Sequence, residues 1–358
     1  MKGLWKYISP FAPDHSGSTA VFYELGGITV ICDAGGCTGN VCGFDEPRWF
    51  TQKSAIFSAG LRDMDAILGR DEKLVEKLKD TAEKVEANFA AIIGTPVPAV
   101  IATDYKALKR MAENSIGIPV LTVDTDGMQL YDTGASKAYL ELFKCFTEEN
   151  NTVEKGRIGV IGATPLDIPA DTGVALINER LKAEGWEKIC CYGMGGNIDD
   201  IKTAAAVEKN IVISPCGIAA AKWLNKKYGT PFEIAYPLIP EHLREKYDQF
   251  AGKKILIVNQ VIAAQELANE ISSATDGNVD ITVATWFTRQ DSMFKSSLMP
   301  NAAVKDIIRM TEEDDFIDLA TGNNFDVIIT DKVLNKALNG FSGKFIDWAH
   351  FAVSGRVD

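Results

Sequence analysis

The sequence predicts an α/β protein of three Rossmann-like units, with mainly parallel sheets and a cleft between the units. Short runs of β-branched and apolar residues alternate with longer amphipathic segments, and turns containing Gly, Pro or Asp separate them. The chain has 358 residues, more than one hydrophobic core usually accommodates. Its composition, 46% apolar and 24% charged, is typical of a globular protein.

The first unit is expected to span residues 1–150. The stretches AVFYELGGITVICDAGG, ANFAAIIG and IPVLTVDTDG predict strands that end in polar loops, with KALKRMAE as an intervening helix. DEKLVEKLKDTAEKVEAN has apolar residues at helical spacing among charges, which predicts a helix packed on a sheet by one stripe. The polar stretch FTEENNTVEKGR marks the first boundary.

The second unit is expected at residues 151–250 and the third at residues 251–358. RIGVIGA, KICCYGMGG and NIVISPCG predict strands of the second unit, while KILIVN, DITVATWF and FDVIITDKV predict strands of the third. Ligands of open α/β sheets bind beyond the carboxyl ends of the strands. Several cysteines fall at those ends, so we expect the functional site there.

Charge and motif content exclude several functions. The formal charge of −12 disfavours nucleic acid and anionic membranes as partners. No apolar run approaches the ~18 residues of a membrane span, and the N-terminal stretch does not read as a signal peptide, so a cytoplasmic protein is expected. The nucleotide motifs GxxxxGK[ST] and GxGxxG after a strand do not occur, which favours an external electron source over bound ATP or NAD.

Three of the seven cysteines, Cys32, Cys37 and Cys42, lie in the glycine-rich segment CDAGGCTGNVC. An odd number of cysteines argues against a disulfide framework. Thiolates at a flexible turn can converge on a soft metal centre, such as an iron–sulfur cluster, zinc or copper(I). The alternative is three small buried apolar side chains. Zinc is the less favoured metal, because paired CxxC motifs are not present.

Two residues further along the chain are candidates for a second site. Cys216 lies between a strand and a helix, where amides favour a thiolate, although a buried structural cysteine fits equally. His350 follows the last strand and either reaches the cleft or sits in an aromatic cluster. The other residues are expected to have structural roles: Cys145, Cys190 and Cys191 in the core, and His15 and His242 at the surface.

The order of segments resembles the nitrogenase component 1 family over nearly the whole chain. GITVICDAGGCTGNVCGF resembles the strand and loop that carry a cluster cysteine, which places Cys37 at the ligand position. NIVISPCGIAAAKWLNKKYGTPF and the terminal KFIDWAHFAVSG resemble the segments that hold a cofactor cysteine and histidine, which implies those roles for Cys216 and His350. The chain departs from the nitrogenase subunits at GTPVPAV and ISPFAP, where further cluster cysteines are missing.

The resemblance implies an iron–sulfur reductase. A single [4Fe–4S] cluster would be shared across a dimer of identical or homologous subunits, through Cys37 with Cys32 or Cys42, or with Asp33 in place of a thiolate. An ATP-dependent iron–sulfur reductase protein would deliver electrons, and a small-molecule substrate or a second metallocofactor would lie near Cys216 and His350. The alternatives are a scaffold or carrier for a metallocluster or tetrapyrrole, and a Rossmann-like binding domain that has lost its cluster ligands.

Overall fold

The computed structural model describes residues 5–149, 152–287, 304 and 307–355, and three parallel sheets organise them. The first sheet has the order β2-β1-β3-β4, the second β6-β5-β7-β8 and the third β11-β10-β9-β12-β13. The strands are β1 Ile28–Ile31, β2 Ala55–Ser58, β3 Ala90–Ile93, β4 Val120–Val123, β5 Glu154–Ile161, β6 Lys188–Cys191, β7 Val207–Val212, β8 Phe232–Ile234, β9 Lys254–Val258, β10 Asp280–Thr285, β11 Ile307–Arg309, β12 Val327–Thr330 and β13 Lys344–Asp347.

The predicted fold class, three Rossmann-like α/β units with mainly parallel sheets, is confirmed. Every pairing between named strands is parallel. The central strands β1, β3 and β12 are buried along their whole length, as expected when helices cover both faces of a parallel sheet. Their continuous apolar sequences therefore reflect burial on both sides. The expected boundary between residues 150 and 151 lies outside the described residues, and the unit boundaries stay a prediction.

Helices connect the strands. They are α1 Asp14–Phe22, α2 Gly36–Asn40, α3 Asp63–Leu68, α4 Asp71–Ala82, α5 Pro96–Val100, α6 Tyr105–Ile116, α7 Tyr131–Phe146, α8 Gly173–Ala183, α9 Ile198–Lys202, α10 Ile218–Tyr228, α11 Glu241–Arg244, α12 Val261–Ala274 and α13 Glu313–Gly322. Helix α6 begins where the Asp104 carboxylate accepts two backbone N–H bonds, and it ends at Gly117 in the left-handed region. Local capping thus sets its length.

The first half of the run AVFYEL, expected to be a strand, lies in helix α1, and the second half forms the turn that follows it. All nine residues of α1 are buried although five of them are polar, so the helix does not show the separate polar and apolar faces by which an amphipathic helix is recognised. Two glycines explain the burial: a Cβ at Gly17 would overlap the carbonyl of Tyr131, and one at Gly134 would overlap the carbonyl of Asp14. Helices α1 and α7 can therefore approach closely.

One hydrophobic cluster runs through all three sheets. Helix α7 packs its buried residues against the first two sheets, and helix α12 extends the same cluster to the third. Polar contacts reinforce this connection: the Tyr139 hydroxyl donates to the carbonyls of Ala163 (2.9 Å) and Tyr192 (2.7 Å). The Gln260 amide donates to the carbonyl of Ile213 at 2.8 Å. The loops at the strand ends are thereby held on a shared core.

Candidate functional site

Cys37 and Cys42 lie on one helical run that follows β1, at the carboxyl edge of the first sheet. Gly35, with φ of 117°, turns the chain into α2, which carries Cys37. A π-helical turn, Val41–Asp45, comes directly after α2 and carries Cys42. Such turns are rare and occur frequently at functional sites. Both thiols are half-buried and pack against one hydrophobic cluster that contains Tyr23, Ile31, Val41 and Ile56.

Cys32 does not join the other two cysteines. It is buried with Ile28 and Val30 in a different cluster, against helix α4. Successive residues of an extended chain point to opposite faces, so Cys32 faces away from the side on which Ile31 meets Cys37 and Cys42. Burial, with smaller contributions from Asp71 and Asp33, raises the pKa of Cys32 to about 12. The structure therefore places two of the three predicted thiols together.

Burial raises the pKa of both remaining thiols above the ordinary cysteine value. For Cys37 the upward shift is reinforced by Asp33 and opposed by a hydrogen bond with the Thr95 hydroxyl. For Cys42 burial, then Glu46 and Asp33, raise the pKa to about 11. Without a cation, both thiols are thus held protonated at neutral pH.

The carboxylate of Asp33, the predicted substitute ligand, is already hydrogen bonded within the chain. One carboxylate oxygen accepts the Ser58 hydroxyl (2.6 Å) and the Thr38 hydroxyl (3.0 Å). The other accepts the Thr38 amide at 2.7 Å. These bonds fix the start of α2, and so they orient Cys37. Among the residues that the structure describes, no group of three His, Cys, Asp or Glu side chains could hold a metal ion.

Large apolar side chains are exposed on the same side of the first sheet. We call this set the apolar edge; each member follows β1, β3 or β4, and the carboxyl ends of these parallel strands share one edge of the sheet. The exposed fractions reach 62% for Phe44, 73% for Met128 and 85% for Val100. The members are Phe44, Val97, Val100, Ile101 and Met128. A contiguous patch of exposed apolar groups typically marks an interaction surface, so this edge is a candidate for one.

Asp45 and Arg48, which the sequence analysis missed, anchor the segment after Cys42. The Asp45 carboxylate accepts hydrogen bonds from Ser16 (2.7 Å), Asn40 (2.7 Å) and Ser354 (2.6 Å). These partners lie up to 309 residues away. Burial raises the pKa of Asp45, although the three hydrogen bonds and His15 oppose the shift.

Arg48 is almost fully buried and bonded on every side. Its guanidinium donates two bonds of 2.7 Å to Glu46, one of 2.8 Å to Glu24 and one of 2.8 Å to the Ala20 carbonyl. Burial alone would lower the pKa of Arg48, but Glu46 and Glu24 outweigh it and raise that pKa. Glu24 also accepts the Gly195 amide at 2.6 Å, so the network ties the cysteine segment to the second sheet.

Cys216 and His350 lie in the interior. Cys216 occupies a tight turn, Pro215–Gly217, between β7 and α10, and burial, followed by Asp167, raises its pKa well above the ordinary range. The Tyr131 hydroxyl donates to Asp167 at 2.7 Å and lies 3.1 Å from His350 Nε2. The Phe287 ring meets the His350 ring edge at 4.6 Å between centroids. His350 thus sits in an aromatic cluster and is hydrogen bonded there.

This arrangement does not fit a second metallocofactor between Cys216 and His350. Among the described residues, Tyr131 and Asp167 lie 3.1 Å and 3.8 Å from His350 Nε2, and the cavity lined by His350 has a volume of about 10 Å³. That volume holds at most one water molecule. Asp167 was not recognised from the sequence, because a single acidic residue in TPLDIP gives no signal of a partner far along the chain.

Three smaller expectations have mixed outcomes. Cys190 and Cys191 are in the core, as predicted, but Cys145 is exposed because it lies near the end of α7. His15, expected at the surface, is only 4% exposed, with Nδ1 3.7 Å from the Asp14 carboxylate. The helical burial of α1 explains this error.

No helix in the described part of the chain is long and apolar enough to cross a membrane.

Known proteins share this architecture and parts of this sequence. The profile of the family described as nitrogenase component 1 type oxidoreductase matches residues 15–240. The nitrogenase iron-molybdenum cofactor biosynthesis protein NifE of Clostridium pasteurianum is 25% identical over 178 residues, covering 49% of this chain and 38% of that protein. NifE of Methanococcus maripaludis is 22% identical over 241 residues, covering 64% of this chain and 48% of that protein.

A solved structure, nitrogenase Cp1 at pH 5, superposes with a TM-score of 0.70 at 15% identity, covering 98% of this chain and 85% of that one. At this identity the likeness shows the fold alone. The alignments with the two NifE proteins span less than half of their length. Since the family profile covers more than half of the sequence, the chain belongs to the nitrogenase component 1 type oxidoreductase family.

Proposed function

We propose that this protein is an iron–sulfur reductase subunit that holds a [4Fe–4S] cluster at an interface with a second subunit. The observation of greatest weight is the pair of half-buried thiols, Cys37 and Cys42, on one helical run at the edge of the first sheet. Thiolates are the usual ligands of such clusters. Cys32 is left out of the proposed ligand set, because its side chain faces another cluster.

The need for a second subunit follows from the ligand count. A cubane takes four thiolates, whereas one chain offers two at this edge. The apolar edge gives the second subunit a surface to bury, and burial of exposed apolar groups is the main driving force of association. An identical chain supplies the missing pair by two-fold symmetry; a homologous chain with equivalent cysteines would do so as well.

Bound at this edge, the cluster would accept and pass on single electrons at low potential. The chain's own part is to orient Cys37 through the bonds between Asp33 and Thr38 and to anchor the segment after Cys42 through Asp45 and Arg48. The proposed electron donor is an ATP-dependent iron–sulfur protein, and the proposed acceptor is a small molecule. We propose no ligand role for Cys216 and His350. Their buried contacts favour a structural role in holding the units together.

The test is anaerobic purification with iron and sulfide analysis. We expect a brown protein with about four irons per two chains, since one cubane holds four. Cys37→Ser should lose the iron, whereas the matched control Cys145→Ser, at an exposed cysteine of α7, should keep it. Stoichiometric zinc without iron, or full iron content in Cys37→Ser, would contradict the proposal. A folded protein without metal would favour the Rossmann-like binding domain.

The interface has its own test. Val100→Arg places a charge at the most exposed member of the apolar edge, and it should convert the dimer to monomers on size exclusion. The same variant should lose its iron, because each chain keeps only two thiolates. A monomeric wild-type protein with a complete cluster would show that the interface is not needed.

The second candidate function is a scaffold or carrier that holds a metallocluster or tetrapyrrole without turnover. The matched NifE relatives, whose names describe cofactor biosynthesis, favour it. The two functions differ in one measurement. A reductase should oxidise its reduced cluster when substrate is added and cycle with an ATP-dependent donor; a scaffold should instead release its bound group to an acceptor protein.

A further inference from the structure

Two cavities lie on either side of Pro169 and Phe351, which line both of them. The front cavity, between residues 43–52, 165–171 and 351–355, has a volume of about 680 Å³. The rear cavity, between residues 169–183, 236–244 and 347–351, has a volume of about 720 Å³. Each volume lies in the range of small-molecule sites. Loops from all three sheets contribute to the front cavity.

The walls of both cavities are largely apolar. The apolar wall of the front cavity consists of aromatic rings, prolines and a valine, chiefly Phe44, Pro47, Phe50, Pro165, Phe351 and Val353. The rear cavity has Tyr236 and Trp348 on its inner wall, with their rings 6.4 Å apart, and Leu176 at its opening. Flat, rigid walls of this kind favour lipophilic ligands, because apolar area is buried at little cost in side-chain entropy.

The charges around the cavities have one predominant sign. In the front cavity Arg48 is the one cation of the described lining, and Glu24 and Glu46 already neutralise it. In the rear cavity Arg180 pairs with Glu184 at 3.3 Å, and Arg244 pairs with Glu270 at 2.9 Å and with Glu241 at 3.8 Å. Glu184 and Glu270 are outside the lining, whereas Glu241 belongs to it. The carboxylates of the two linings that take no part in these ion pairs are Asp45, Asp171, Glu179 and Asp347.

We propose that the two cavities form one binding site for an elongated, lipophilic molecule that is either uncharged or cationic. Pro169 and Phe351 line both cavities, so a ligand long enough to extend past these two residues would contact both linings. An anion is disfavoured, because it would meet unneutralised carboxylates in a partly desolvated space. The front cavity begins at Gly43, directly after Cys42. The site therefore gives the proposed reductase a substrate class. Its role as a substrate site rests on the proposed function, but binding of a ligand to it can be measured without electron transfer.

The first experiment titrates anaerobically purified protein with decyltriphenylphosphonium, a long lipophilic cation, by calorimetry. Phe50→Arg in the front cavity and Leu176→Arg in the rear cavity should each weaken binding at least tenfold, because either charge repels a ligand that occupies both. The two side chains are 75% and 45% exposed, so folding is retained. The matched control, Val153→Arg, is 60% exposed outside both linings and should bind within twofold of wild type.

The second experiment compares tetraphenylphosphonium with tetraphenylborate, which have the same shape and opposite charge. The phosphonium should bind at least tenfold more tightly. An effect of only one of the two cavity variants, an equal effect of Val153→Arg, tighter binding of the borate, or no binding of any probe would each overturn the inference. Iron content is measured in the same samples, so a lost cluster with intact probe binding counts against the proposed function alone.

Discussion

Replacing Arg48 with methionine removes the guanidinium that lies between the carboxylates of Glu24 and Glu46. The volume of the side chain is nearly kept, so the main effect is electrostatic. Glu46 is buried and would retain only the backbone amide of residue 48 at 3.1 Å, while Glu24 would retain the Gly195 amide. Removing one partner of a buried ion pair costs about 3–5 kcal/mol, because the other charge stays buried and unpaired.

We therefore expect Arg48→Met to lower the free energy of unfolding by about 4 kcal/mol. Arg48→Lys keeps the charge but loses the pair of parallel hydrogen bonds from the planar guanidinium to Glu46. For this variant we expect the free energy of unfolding to fall by about 2 kcal/mol. The matched control is Arg70→Met. Arg70 is a half-exposed arginine 3.7 Å from Asp65, for which the expected change is below ~1 kcal/mol.

The assay is urea unfolding followed by tryptophan fluorescence, read at the first transition. With a slope of about 3 kcal/mol per molar urea, a loss of about 4 kcal/mol lowers the midpoint by roughly 1.3 M. The double variant Arg48→Met with Glu46→Gln should recover part of the loss, because the stranded charge is gone. A midpoint for Arg48→Met equal to that of Arg70→Met would refute this account of the network.

Two further predictions concern packing and thiol access. Gly134→Ala should lower the free energy of unfolding by about 3 kcal/mol or more, because its Cβ would overlap the Asp14 carbonyl. The control is Gly322→Ala, which has open space at its Cβ. In the same urea assay it should be neutral or stabilising by up to ~1 kcal/mol. In the metal-free protein a thiol reagent should label exposed Cys145 first, then half-buried Cys37 and Cys42, and the four buried cysteines only after denaturation. Mass spectrometry identifies the labelled residues. Labelling of Cys32 or Cys216 in the native state would contradict their burial.

Much of the fold was predictable because parallel strands with helices on both faces are continuous apolar runs. ITVI, AAII and VIIT are all strands in the structure, and all are fully buried. AVFYEL was misassigned because the polar and apolar residues of α1 are all buried and do not form two faces, so the apolar run at the end of the helix resembles a strand. The glycines that permit its burial are separated by more than 100 residues, and no local pattern connects them.

The candidate site was predictable only in part. Cysteine spacing indicated a metal-binding segment, but spacing does not state which face of the chain each thiol occupies, and Cys32 lies on a different face from its neighbours. Buried charges such as Arg48 and Asp45 are stabilised by partners distant in sequence, including Gly193 and Ser354. A charged residue in a polar loop gives no sign of such partners before the fold brings them together.

The π-helical turn at Val41–Asp45 has a consequence for how this segment can change in evolution. A π turn is an α-helix with one residue inserted, and one residue corresponds to about 100° of rotation. The insertion rotates the residues on its C-terminal side, so Cys37 and Cys42 point to the sheet edge while Asp45 points inward to Ser16 and Ser354. Deleting one residue here would turn Asp45 away from those hydroxyls while leaving Cys37 in place. A short insertion or deletion in this turn would therefore separate the two thiols from the hydrogen bonds that Asp45 makes with Ser16 and Ser354.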